Sequence, residues 1–316
     1  MSAIMHDRSS NVKRNLIGQA KKRRYPPSHY VSLPKRKEDR KMTVCIGMLC
    51  DKGNAILMAA DARGSYEHPI TGSLMTTNEE CGKFYDLSHG FHACIAGTFN
   101  WCQMMISEID EQIKPLPENQ RNISGIQKAA GEALFRLYWH YADQQLKPLG
   151  IGLEEFRHDG RLVPPLRKEA EQVLNALELP VGFVIAGYDK SSPILTVSDD
   201  RCRSLQDVAT PHFAALGSGS LAATFWLNFR RQNVYFSVQR SFAHLCEAKL
   251  FAQHNDAYVG DVGHFLLIRP DREMTVLGGH DLPGKLADEF SLKSTASLDT
   301  EERRREFADY FKIPDL

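Results

Sequence analysis

The chain has 316 residues and no net charge, with 39 Lys and Arg against 39 Asp and Glu. No run of about 18 apolar residues occurs and the N-terminus lacks the apolar core of a secretory signal, so no membrane partner is expected and the expected compartment is cytoplasmic. Seven cysteines are scattered without a CxxC pair, which argues against a disulfide frame or a zinc site and for reduced packing thiols.

Neutrality hides an asymmetry. Residues 1–42 carry 12 basic and 3 acidic residues, leaving 27 basic and 36 acidic in the remainder, so a basic arm is joined to an acidic body. The arm has few apolar residues to bury and "YPPSHYVSLP" breaks any helix, so disorder is expected to about Lys41. It reads as a solvated tail, as sequence upstream of the working start, or as a removed propeptide. The runs "KKRR" and "KRKEDRK" are weak grounds for a nucleic-acid partner, and none is expected.

From Thr43, "TVCIGMLCDKGNAILMAADARGS" gives two apolar runs around Asp51-Lys52-Gly53-Asn54, which predicts a hairpin. A second strand pair, 83–87 and 90–97, flanks Ser88-His89-Gly90, and "YEHPITGSLMTTNEEC" between the two pairs reads as an extended loop. A helix is expected over about 98–113. A longer one follows, with Ile123, Ile126, Ala130, Leu134, Leu137 and Tyr141 in a single stripe and Asn122 as N-cap. Residues 148–180 are polar and proline-punctuated and read as a surface insertion with at most one short helix, near 166–177.

Strands are predicted at 181–189, 192–200 and 211–220, helices at 221–229 and 237–254, and a closing hairpin turns at Pro270-Asp271. The tail, 296–316, is expected to hold a short helix from Leu298, capped by Asp299 or Thr300. Blocks of strands and helices, in place of strict alternation, imply α+β architecture with antiparallel sheets packed between helix layers.

Six stretches then carry a specific resemblance: "AADAR" (59–63), "GKFYDL" (82–87), "ACIAG" (93–97), "IAGYD" (185–189), "GSGS" (217–220) and "AQHNDAYVGDVGHFLLI" (252–268). In this order they resemble the proteasome β-subunit branch of the N-terminal nucleophile (Ntn) hydrolases, over about Thr43 to Asp271. The resemblance implies a four-layer αββα sandwich of two antiparallel sheets between helix layers, spanning 43–295. It also implies a threonine endopeptidase acting on peptides or unfolded proteins without cofactor or metal. Its implied partners are further copies in a ring or proteasome-type subunits, and an ATPase unfoldase.

The residue roles implied are these. A threonine hydroxyl needs a base within hydrogen-bond reach, and in this class the free α-amine of the same threonine supplies it, so Thr43 is the expected nucleophile if it is the first residue. Lys83 would place an ammonium beside the Thr43 oxygen, Asp61 would hold that lysine, and Gly97 would offer its N–H to the oxyanion. Ser218 and Asp256 would orient the amine and a proton-shuttling water.

Alone, Asp61 reads as a turn acid paired with Arg63, Lys83 as a solvated strand residue and Gly97 as a packing glycine. His254, Asp256, Asp261 and His264 can be drawn as a metal site, but their spacing fits no ligand pattern. The chain departs from the family at Val259, where a serine is usual, and at Met42, where self-cleaving members have glycine. Met42 offers a simpler route if translation begins there, because an initiator methionine before a small residue is normally removed. Two other functions use the same fold: an inactive proteasome-like subunit that keeps the arm, and an Ntn amidohydrolase of small amides.

Overall fold

Residues 45–50 and 55–61 are almost uninterrupted apolar runs because both faces of their strands are covered. The structure, a computed structural model, describes residues 43–67, 74–80, 82–158, 162–198, 205–208, 211–260, 263–271 and 273–277. The basic arm, Asp261 and the expected tail helix lie outside the described residues, which all belong to one unit, 39–316.

Strand β1 (Cys45–Cys50) turns through Asp51–Gly53 into β2 (Ala55–Asp61), with Cys45 opposite Ala60, as the turn chemistry predicts. Strands β3 (Arg63–Glu67) and β4 (Leu74–Glu80) follow as an antiparallel pair, so the stretch expected to be a loop is largely a two-stranded sheet. Next come β5 (Phe84–Leu87), β6 (Phe91–Gly97), α1 (Phe99–Ile113) and α2 (Ile123–Leu146). Asn122 caps α2 by accepting from the Gly125 N–H.

The insertion differs from expectation. It forms α3 (Leu153–Arg157) and α4 (Pro164–Asn175), whose Leu153 and Ala170 are buried with Ala142 and Leu146 of α2 in a small core of their own. Its apolar residues are too sparse to stand out as a stripe, yet enough to seal one end of α2.

The chain continues through β7 (Val181–Asp189), β8 (Ser192–Ser198), β9 (Leu205–Asp207), β10 (Phe213–Leu216), α5 (Ser220–Phe229), α6 (Val238–Asn255), β11 (Gly263–Ile268) and β12 (Met274–Leu277). One antiparallel sheet has the order β10-β1-β2-β11-β12 and the other β5-β6-β7-β8-β9.

Side chains alternate between faces along each strand, and the cores follow that period. Ile46, Met48 and Leu57 face α5 and α6, meeting Leu227, Phe242 and Leu245. Their neighbours Cys45, Ile56 and Met58 face the second sheet, meeting Cys94, Val184 and Leu195. On that sheet's far side, Phe91, Ile95 and Phe183 meet Met105 and Ile109 of α1 and Ile126 and Leu134 of α2. The fold is thus mixed α+β, two antiparallel sheets with helices against them, compatible with a sandwich.

Candidate functional site

Strand order decides which residues meet at Thr43. Because β1 lies between β2 and β10, the end of β2 reaches Thr43 from one side and the turn after β10 from the other. The first delivers Asp61 and the second Ser218. Lys83 comes from the other sheet, just before β5, where its carbonyl accepts from the Ile95 N–H (3.1 Å).

These three surround one residue. Lys83 Nζ donates to Thr43 Oγ1, and the Thr43 hydroxyl in turn donates to Asp61 Oδ1. Lys83 Nζ also pairs with Asp61 Oδ1 at 2.9 Å. The Thr43 N–H donates to Ser218 Oγ at 3.3 Å. Thr43 is 1% exposed, Asp61 0% and Lys83 8%, so the lysine and its carboxylate face each other with little water between them. The described side-chain partners of Asp61 are thus Thr43 and Lys83, while Arg63 Nη1 donates to the Ala257 carbonyl (2.8 Å).

Asp61 is held in turn by backbone donors that the sequence does not single out. The Val44 N–H reaches Oδ1 (2.9 Å) and the Gly260 N–H reaches Oδ2 (3.0 Å). The Thr43 carbonyl accepts from the Gly219 N–H (3.2 Å). Gly217 has φ +95°, and a Cβ there would lie 2.2 Å from the Thr43 carbonyl oxygen, so only glycine lets this turn close on the threonine. "GSGS" was the available signal for Gly217 and Gly219.

The remaining expected residues are placed differently. Gly97 ends β6 opposite Val181 with φ +139°, and a Cβ there would meet the Pro180 carbonyl at 2.1 Å; its place is set by that close approach. Asp256 follows α6, and its Oδ1 accepts from the Tyr258 N–H (2.9 Å). It shares a cavity with Ser218 and has no hydrogen bond to Thr43 among those described. Val259 is buried in the core with residues of α5 and α6, an apolar packing role.

That cavity, about 950 Å³, is lined by Gly217, Ser218 and Asp256, by Phe225 of α5 and Phe251 of α6, and by Leu179 at the end of the insertion. Two thiols, Cys45 and Cys94, are buried between the sheets near the site. Burial pushes the Cys94 thiol well above its ordinary value, its hydrogen bond with Cys45 adding to the rise, so it stays neutral and is no rival nucleophile. Chemically, the arrangement stabilises negative charge on Thr43 Oγ1 with an adjacent ammonium, and holds the Thr43 nitrogen at a hydroxyl beside an open cavity.

No family model matches the chain, and no curated protein matches it. Among the described residues, no helix is long and apolar enough to cross a membrane.

Proposed function

We propose that this chain is a threonine peptidase that acts once residues 1–42 are gone, built as a proteasome-like Ntn αββα sandwich. The observation that carries the reading is the buried Thr43–Lys83–Asp61 contact with Ser218 on the Thr43 nitrogen. A threonine that served only as a strand residue would not need a lysine and an aspartate buried against its hydroxyl, since burying that pair carries a desolvation cost.

In the uncut chain the Thr43 nitrogen is an amide and has no basic lone pair. Loss of residues 1–42 makes it an α-amine, which titrates near 8 and can take the hydroxyl proton. Lys83 then holds the developing alkoxide by charge, and Asp61 keeps the lysine in place. Thr43 Oγ1 adds to the scissile carbonyl, the C–N bond breaks, and water hydrolyses the acyl-threonine ester. Gly97 is assigned to the oxyanion by the family resemblance, and ring assembly rests on the same footing.

The test is intact mass of the purified protein combined with peptide hydrolysis and labelling by a threonine-directed epoxyketone. A species beginning at Thr43 should cleave and be labelled, and Thr43→Ala should do neither. A protein beginning at Met1 that neither cleaves nor is labelled refutes the reading and favours an inactive subunit. Sedimentation of a single monomeric species at micromolar concentration refutes the ring.

A further inference from the structure

Which half of a substrate the cavity takes follows from the chemistry at Thr43, and so rests on the peptidase reading. Thr43 Oγ1 is held by Lys83 and Asp61, neither of which is among the described wall residues, whereas the Thr43 nitrogen is held by Ser218, which is. When Oγ1 adds to the scissile carbonyl, its proton passes to the α-amine. When the tetrahedral adduct collapses, the C–N bond breaks and the α-ammonium gives that proton to the departing nitrogen, leaving a neutral amine on the released fragment and an ester on Thr43. The departing nitrogen must therefore lie within hydrogen-bond reach of Thr43 N, on the side of Ser218 and the cavity.

We infer that the cavity is the leaving-group subsite, and that it selects peptides with an aromatic or large aliphatic residue immediately after the cut bond. Its wall fits that occupant. Leu221 and Phe225 of α5 are 81% and 60% exposed although they line a concave surface, and such apolar side chains in a cavity are what a ligand covers. Phe225 stacks on Phe251 with ring centres 5.9 Å apart and planes 25° apart, giving a flat apolar face.

Charge points the same way. The carboxylates among the described wall residues are Asp256 and Glu178, and that described lining holds no Lys or Arg. The released fragment takes up a solvent proton and becomes an α-ammonium in the cavity that Asp256 lines, while a glutamate after the cut bond would be repelled by that carboxylate. Glu178 comes from the end of the insertion, so that segment contributes to the site through the cavity wall.

The test uses protein beginning at Thr43 and a peptide series identical up to the cut bond, followed by Phe, Leu, Ala or Glu, with products identified by mass spectrometry. The kcat/KM for Phe should exceed that for Ala by about tenfold or more, with Glu lowest. Phe225→Ala and Leu221→Ala should each bring the Phe/Ala ratio toward one. Phe135→Ala, at a comparably exposed phenylalanine of α2 outside the cavity, should keep the ratio. A wild-type ratio within about twofold of one, or a ratio unmoved by both cavity variants, overturns the subsite while the peptidase reading stands. If no peptide is cleaved by protein whose mass begins at Thr43, the peptidase reading itself falls.

Discussion

Asp61→Asn isolates the buried contact at Thr43 without requiring activity. The carboxylate takes Lys83 Nζ at 2.9 Å and the Val44 N–H at 2.9 Å on one oxygen, with the Thr43 hydroxyl, and the Gly260 N–H at 3.0 Å on the other. An amide of the same shape can keep one oxygen as acceptor, but its NH2 must then face a donor. The less damaging choice turns the NH2 toward Gly260 and leaves the lysine with a neutral partner. Breaking a buried ion pair by neutralising one member costs about 3–5 kcal/mol, because the other charge stays buried. Lys83, 8% exposed, is in that situation.

The assay is urea unfolding of the full chain, with the midpoint falling at unchanged slope. The double variant Asp61→Asn/Lys83→Met should recover part of the loss, since no unpaired ammonium remains, and the non-additivity should be about 1 kcal/mol or more. A single-variant loss under about 1 kcal/mol, or strictly additive losses, would refute the buried pair.

Other expectations follow from the same geometry. Gly217→Ala, with φ +95° and a Cβ 2.2 Å from the Thr43 carbonyl oxygen, should lower stability by about 1–3 kcal/mol and hydrolysis by about tenfold or more, read from urea midpoints and from kcat/KM. Hydrolysis by protein beginning at Thr43 should rise with pH up to about 8, as the α-amine loses its proton; a flat profile between pH 6 and 8 would remove the amine as base. Burial raises the Cys50 thiol from 9.0 to about 12, so the folded state holds a proton that the unfolded state releases above pH 9. Stability from this thiol is complete below pH 9 and should fall by roughly 1.4 kcal/mol per pH unit up to about 12, and Cys50→Ala should flatten that fall. Glu247, 1% exposed in its side chain, accepts from Trp226 Nε1 (2.9 Å) and Arg230 Nε (2.6 Å), tying α5 to α6; Glu247→Gln should cost about 3 kcal/mol in thermal or urea unfolding.

Local signals carried much of the architecture. Asp51-Lys52-Gly53-Asn54 and Ser88-His89-Gly90 marked their turns, Asn122 marked the start of α2, and the 181–189 strand has the bounds its pattern predicts. What escaped was non-local. Nothing around Leu216 says that β10 pairs with β1, yet that pairing brings Ser218 to Thr43. The 63–80 stretch hid its two strands because its polar residues do not alternate with apolar ones, and backbone pairing leaves no composition signal.

At the site, Thr43, Asp61, Lys83 and Ser218 were legible through the family resemblance. Periodicity would have left Lys83 a solvated residue, because its partner lies 22 positions away across two sheets. Val44 and Gly260 act through their N–H groups, and every residue but proline has one, so the sequence could not single them out.

The described contacts that fix Thr43 lie at or after its own nitrogen: its N–H to Ser218, its hydroxyl between Lys83 and Asp61, its carbonyl under Gly219, and the next amide on Asp61. The proposed enzyme therefore has its nucleophile seated before the peptide bond ahead of it is cut, in the manner of a zymogen that needs no refolding. Activity should appear in step with the loss of the arm, with no lag separating the shorter species from the working one.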